Sequence, residues 1–507
     1  MLKFRKIQAI VCVAAIFCTA TAGCSTTKIA SGTSSAESGA AVQSEDYPTI
    51  TWYAAGCTPD GVDRIDTAAN KILSDAGIKA KLNLVWLGWN NYSSQISTML
   101  ASNESFDIFN GDMASIDGYA LNGGVRDIKD DNLTTYLPDV VKAMGNTIVN
   151  NCRYNGALYA IPVAHEYAQN FGIIYNSDLA TKYNLDMSKV KSVSDLDSLF
   201  AQLHAANPKI ICAFSGTDEA LRPMADIDYI NNSSSLCAGM YLNNDCKEAF
   251  NYFQSDKVVA ALKKIREWYQ DGYLETDTTA DQASMLNKGG TIFCVIERFK
   301  PGSAEQQSQD FKFKSIAFSS SAKSTFCDFP AGWGNAISST SKNPELAMQV
   351  LNMAYKNADF INLLTFGEKD VDYTLSSDNI LTLKNSGYGY DAYGSASWQM
   401  GNHYLNYITK SQQDAGLSDI WTQLKDFNTN AQVLDHTGFY FDSTKYTTQI
   451  SAIANVYKEY STMLYDGSVD VDSTLSEFNK ALDDNGMQTV LDAINAQYKT
   501  FLASKSK

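Results

Sequence analysis

Four histidines, His165, His204, His403 and His436, lie far apart in a chain of 507 residues, and no close spacing of His or Cys is present. Close His or Cys spacing is the sequence mark of a metal cluster, so a metal site has little support here and no cofactor is implied. The run His165-Glu166-Tyr167-Ala168-Gln169 begins as a zinc-protease helix does, but Gln169 stands where the second histidine would have to be. No serine has glycine two residues to either side, and no phosphate loop occurs. Carboxylate pairs for glycoside hydrolysis are set by distance in space, which spacing along the chain does not show. The residues point to binding rather than catalysis. With 28 Tyr, 23 Phe and 7 Trp, rings are too abundant to locate a site by number, so position must do it.

The elements that position such groups begin at Tyr47. Thr49 to Ala54 alternates as a strand, a polar helix runs from about Val62 to Ala76, and Ala80 to Trp86 alternates again. Tyr92 to Ala101 has helical spacing, and Phe106 to Phe109 is a third short strand. This order predicts an α/β fold with a parallel sheet flanked by helices, whose right-handed crossovers bring the loops after each strand to one edge, where ligands bind. A second block starts at Leu158 to Pro162 and Phe171 to Asn176. Helices follow at about Ser177 to Tyr183, Val193 to Ala206 and Val258 to Tyr269. Thr291 to Ile296 and Ala331 to Ile337 are further strands, and Pro344 opens a helix at its first turn. The Gly/Tyr-rich stretch Tyr388 to Ser397 is expected to be a loop, and the chain from Gly416 onward is mostly helical.

Before Tyr47 the chain is of another kind. Lys3, Arg5 and Lys6 precede an apolar run from Ala9 to Phe17, too short for a stable membrane span, and Thr21-Ala22-Gly23-Cys24 follows. This order resembles a bacterial lipobox, with Thr21 where the pattern has Leu, and implies cleavage after residue 23 and lipidation of Cys24. Residues 24–46, almost all Ser, Thr, Ala and Gly, read as a disordered tether. The net charge of −16 becomes −19 once Lys3, Arg5 and Lys6 are removed, so nucleic acid is excluded as a partner and the acidity serves solubility. Seven cysteines remain beyond Cys24, an odd number. Cys212 and Cys294 sit among apolar neighbours as buried thiols, while Cys237 and Cys246 could bridge.

Several segments together resemble the family 1 extracellular solute-binding proteins of ABC importers, relatives of maltose-binding protein. They are the lipoprotein start, Phe106-Asp107-Ile108 with Gly111-Asp112, Gly156 to Pro162 leading to Tyr175-Asn176, Gly272-Tyr273-Leu274, and Ala336 to Ala347. Phe366-Gly367-Glu368, Trp398 to Asn402 and Gly438-Phe439 resemble a Gram-positive subgroup with an extended C-terminal region. The resemblance implies a type II two-lobed fold with a hinge near Ile161-Pro162. Residues 47–162 with about 291–357 would form the N-terminal lobe, and 163–290 with about 358–507 the C-terminal lobe and its helical extension. It implies a monomeric, lipid-anchored receptor that delivers an oligosaccharide or other small solute to the transmembrane subunits of the importer. A peptide or other solute sensor would use the same cleft.

A sugar has flat C–H faces for aromatic rings and a rim of hydroxyls that must be hydrogen bonded when buried. Candidates on loops after strands or at crossings are Tyr53, Trp89, Asp112, Glu166, Tyr167, Glu297, Trp333, Trp398 and Asn402. Trp333 lies between Gly332 and Gly334, where backbone freedom suits a loop. Trp89 suits cleft stacking or simple packing equally. Glu166 and Asp112 are either hydroxyl acceptors or solvated charges, Glu297 beside Arg298 is a contact or an ion pair, Trp86 belongs to the core, and Asp107 is structural.

Overall fold

In β1 (Thr49–Ala55) the alternation is kept in space: Ile50, Trp52 and Ala54 are fully buried while Thr49 is exposed. The structure, a computed structural model, describes residues 47–505 apart from 155, 215–216, 244–246, 276–290, 308–310, 320–322, 327–331 and 397. The signal segment, Cys24, the tether, Cys246 and Cys327 lie outside the described residues.

Helix α1 (Val62–Asp75) returns the chain to β2 (Lys81–Leu87), and α2 (Tyr92–Ala101) returns it to β3 (Ile108–Asp112); both β2 and β3 run parallel to β1. Helix α3 (Met113–Leu121), α4 (Asp130–Tyr136) and α5 (Pro138–Asn151) then lead to β4 (Ala160–Pro162). The chain crosses at residues 163–167 into β5 (Ala168–Asn176), which belongs to another sheet with β6 (Ile211–Phe214). A separate antiparallel sheet holds β7 (Ile227–Tyr229), β8 (Ala238–Tyr241) and β9 (Phe250–Asn251). Strands β10 (Ile292–Phe299), β11 (Phe313–Ala317) and β12 (Thr325–Phe326) follow, and β13 (Trp333–Ile337) returns to the first sheet between β3 and β4.

The two larger sheets among the described residues have the orders β2-β1-β3-β13-β4 and β11-β5-β10-β6, with β12 added to β5. Each has its own buried core: Trp52, Phe109 and Ile161 in the first, Phe200, Trp268 and Phe293 in the second. Among the described residues no helix is long and apolar enough to cross a membrane.

Three expectations need correction. Strand β10 pairs with β5 and β6, so the chain returns to the first lobe near residue 332 rather than 291. After residue 357 the helix Ala358–Phe366, Tyr388, Ala392 and Met400 still pack in the first core, and only from Phe439 on does the chain join the second. Apolar periodicity marks a buried face without saying which core buries it. The Gly/Tyr-rich stretch is a helix over Tyr388–Ala396, because Tyr388 is buried and donates to the Leu364 carbonyl at 2.9 Å. Gly389 lies so close to the Phe366 carbonyl that any Cβ would collide with it, so the glycine that suggested a loop permits helix contact instead. Cys57, Cys152, Cys212, Cys237 and Cys294 are free thiols.

One half-buried acid tests this packing. Asp66 on α1 accepts from the Leu84 amide at 3.1 Å, yet burial, opposed by that bond and aided by Asp63, pushes its carboxyl up to about 6. A folded-state value above the unfolded one means that stability declines as pH rises from about 4 to about 6. Asp66→Asn keeps an acceptor and removes the charge. It is predicted to match the parent at pH 4 and to exceed it by up to about 2 kcal/mol at pH 7 in urea unfolding.

Candidate functional site

Because β1, β2 and β3 are parallel, their C-terminal ends share one edge, and β13 begins there with Trp333 opposite Asp112. Trp89 follows β2 by two residues, and Trp398 reaches the same edge on the turn after the helix Tyr388–Ala396. The three indoles meet. Trp89 and Trp398 stack at 5.5 Å with planes 4° apart, and Trp333 stands edge-on to both, 5.8 Å from Trp89 and 4.7 Å from Trp398. Trp89 remains 43% exposed, so the group keeps an open aromatic surface at the sheet edge. Offset and edge-on contacts between rings add stability beyond area burial, which makes the platform firm.

A polar frame beneath the rings fixes Trp398. Gln399, fully buried, donates to the Ala55 carbonyl at 2.9 Å, and its own carbonyl accepts from Asn335 at 3.2 Å. Asn110 lies within 3.4 Å of the Gln399 side chain and accepts from the Trp52 indole at 2.7 Å, while its backbone carbonyl accepts from the Tyr92 hydroxyl at 2.6 Å. The turn is thereby tied to three strands of the first sheet. Buried amides with partners on this scale hold one arrangement because leaving any of them unpaired is costly. Nothing in the sequence singled out Asn110, Asn335 or Gln399; buried amides carry no periodic signal.

Asp112 caps α3, accepting from the Ser115 amide at 2.9 Å, and is partly exposed beside Trp333. The other candidates do not join the tryptophans. The ring of Tyr53 stands edge-on to Phe106 at 5.5 Å, and burial, then the charge of Glu104, raises its hydroxyl. Both neighbours precede β3, so Tyr53 faces away from the edge. Glu297 pairs opposite Gly172 within the second sheet, and the neighbouring Arg298 bonds Glu219 at 3.2 Å.

Tyr167, Glu166 and Asn402 belong to the crossing between lobes. The Tyr167 ring stacks on His165 at 4.2 Å and its hydroxyl donates to the Val163 carbonyl at 2.8 Å. Asn402 caps a helical turn by accepting from the Tyr404 amide at 3.1 Å, and donates to the Tyr355 carbonyl at 3.3 Å. Asn428 accepts from the Tyr167 amide at 2.8 Å and donates to the His165 carbonyl at 2.9 Å, pinning the crossing. Glu166 pairs with Lys300, which follows β10. Burial alone would raise the Glu166 carboxyl, but Lys300 and His165, the latter 3.8 Å away, hold it well below the usual carboxylate range. Burial, reinforced by His165, pushes the His403 imidazole down to about 3, so it is neutral at physiological pH.

A family model described as bacterial extracellular solute-binding protein matches residues 67–367, and one described as a domain of unknown function matches residues 435–503. A carbohydrate ABC transporter substrate-binding protein of Streptococcus pneumoniae is 26% identical over 485 residues, which cover 93% of this chain and 94% of that protein. The crystal structure of an N-glycan transport solute binding protein from Streptococcus pneumoniae is 25% identical, covers 90% of this chain and 100% of its own, and superposes with a TM-score of 0.75. The same relative in complex with Man1GlcNAc gives 0.66.

Proposed function

We propose, for a chain that belongs to the bacterial extracellular solute-binding proteins, that it captures an oligosaccharide of the N-glycan type and hands it to an ABC importer. The observation that carries this reading is the meeting of Trp89, Trp333 and Trp398 at the edge of the first sheet, next to Asp112. Indole faces cover the C–H faces of a sugar, and Asp112 is placed to accept from its hydroxyls. The carbohydrate and N-glycan relatives of similar length support the ligand class.

Capture proceeds by closure of the second lobe over sugar held on the tryptophans, since contacts made only in the shut form shift the population toward it. The crossings at Pro162 and at β12 to β13 are the bending points, and Pro162 fixes φ at one of them. Lipidation of Cys24 would hold the receptor at the outer membrane face on its tether, beside the permease, and the receptor would act as a monomer.

Thermal unfolding of residues 47–507 against N-glycan oligosaccharides, short peptides and polyamines tests the class. A ligand specific for the folded form adds about 2.7 kcal/mol at 100 times its dissociation constant. A shift with mannose-rich N-glycan oligosaccharides alone is the expected result. A shift only with peptides or polyamines overturns the ligand.

A further inference from the structure

Strand β10 runs parallel to β6 and antiparallel to β5, with Arg298 opposite Phe171 and Phe299 opposite Asn170. The C-terminal ends of β6 and β10 therefore lie toward the start of β5, where the crossing of residues 163–167 arrives. The same crossing leaves the first sheet at the tryptophans: Pro162 pairs with Gly334, and the Val163 amide donates to the Trp333 carbonyl at 3.1 Å. Five residues span at most about 18 Å, so two strand-end edges, one from each sheet, flank one short floor. Ligands of α/β sheets bind outside the carboxyl ends of their strands.

The second edge carries charge. Arg298, the penultimate residue of β10, shares its strand face with Cys294 and Ile296 of the second core, and its Nε lies 3.2 Å from Glu219 Oε2. Glu219 sits in the helical turn Asp218–Ala220, which follows β6 and leads into the helix Leu221–Ala225. Arg222 on that helix is 1% exposed. It lies 3.7 Å from Glu219, pairs with Asp228, bonds Asn232 and covers the Tyr229 ring at 4.5 Å. The turn is thus fixed from behind by a buried cation, while the Glu219 and Arg298 side chains keep 32% and 24% exposure. A carboxylate and a guanidinium already held against each other lose little further freedom when a ligand reaches them, which suits a preorganised polar contact.

We propose that Glu219 and Arg298 are contacts of the second lobe with the oligosaccharide, engaged only when the cleft shuts over sugar already held on the tryptophans. Glu219 accepts from sugar hydroxyls, and Arg298 donates to hydroxyl or acetamido oxygens. The inference rests on the oligosaccharide reading and assigns the polar half of the same cleft; Arg222 is a positioning residue. Contacts made in the shut form alone act on release rather than capture, so this pair sets how long the sugar is held.

The test is stopped-flow tryptophan fluorescence and calorimetric titration of the full-length protein with Man1GlcNAc. Glu219→Gln and Arg298→Met are each expected to release the sugar about 10-fold faster and to bind it about 10-fold more weakly, with association within about 2-fold of the parent. The double variant loses less than the two single losses combined, because the partners touch. Saturated variants also contract less than the saturated parent in small-angle scattering, which a merely structural pair would not alter. A pair that only ties β10 to the turn lowers the unfolding temperature and leaves affinity, release and contraction like those of the parent. That result, with the parent still binding, overturns the inference and leaves the function standing. If Arg298→Met does not fold, Glu219→Gln carries the test by the same readouts. No binding of Man1GlcNAc by the parent overturns the oligosaccharide reading and the inference with it.

Discussion

Trp333→Ala weakens oligosaccharide binding by about 30- to 1,000-fold, the about 2–4 kcal/mol that truncation of an aromatic anchor costs. The size follows from its place. Trp333 is the one indole in edge-on contact with both others, at 5.8 and 4.7 Å, so its removal takes away a ring face and also the support of the stacked pair. Trp89→Ala and Trp398→Ala each cost less, and the double substitution with Trp333→Ala costs less than the sum, because residues in contact couple. Calorimetric titration of the single and double variants reads both effects. Parent-like affinity in Trp333→Ala, with the fold intact by circular dichroism, would remove the platform from the site.

Lys300→Met destabilises the protein by about 2–3 kcal/mol at pH 7, discounted from the about 3–5 kcal/mol of a fully buried pair because Lys300 is 37% exposed. The Glu166 side chain is 10% exposed and would be left charged without its partner. The pH dependence identifies the cause. In the parent the folded value of Glu166 lies below the ordinary 4.5, so the stability it contributes is present above about pH 4.5 and is lost as pH falls toward the folded value. Without Lys300 burial dominates and the sign reverses, so that the variant loses stability as pH rises through the carboxylate range. Glu166→Gln in the same background restores most of the loss. Urea unfolding at pH 4 and pH 8 separates the outcomes, and equal stability of parent and Lys300→Met at pH 8 would show the pair to be inert.

Glu166 also marks where reading along the chain stops. Its position just past Pro162 identified a crossing, but Lys300 is distant in sequence and becomes a neighbour only because β10 lies beside β5. Asn402 is a candidate of the tail together with Trp398, yet both atoms of its amide are occupied by Tyr404 and Tyr355 in the packing of the crossing. Tyr53 shows the effect of strand direction: two residues short of the strand end, it turns toward Phe106 and away from the edge.

The sequence by itself determined the alternation of strands and helices in both lobes, the burial of Trp86, the structural role of Asp107, which accepts from the Thr51 amide and the Ser341 hydroxyl, and, through the motifs of the family resemblance, the crossing near Pro162. Each rests on periodicity, proline geometry or a short motif, and such signals act within a few residues. Only the tertiary structure decided that β10 and β11 stay with the second lobe and that Trp398 returns to meet Trp89 and Trp333. Those outcomes depend on strand register and on which of two cores takes each apolar face, and both are settled by contacts between residues far apart in the chain.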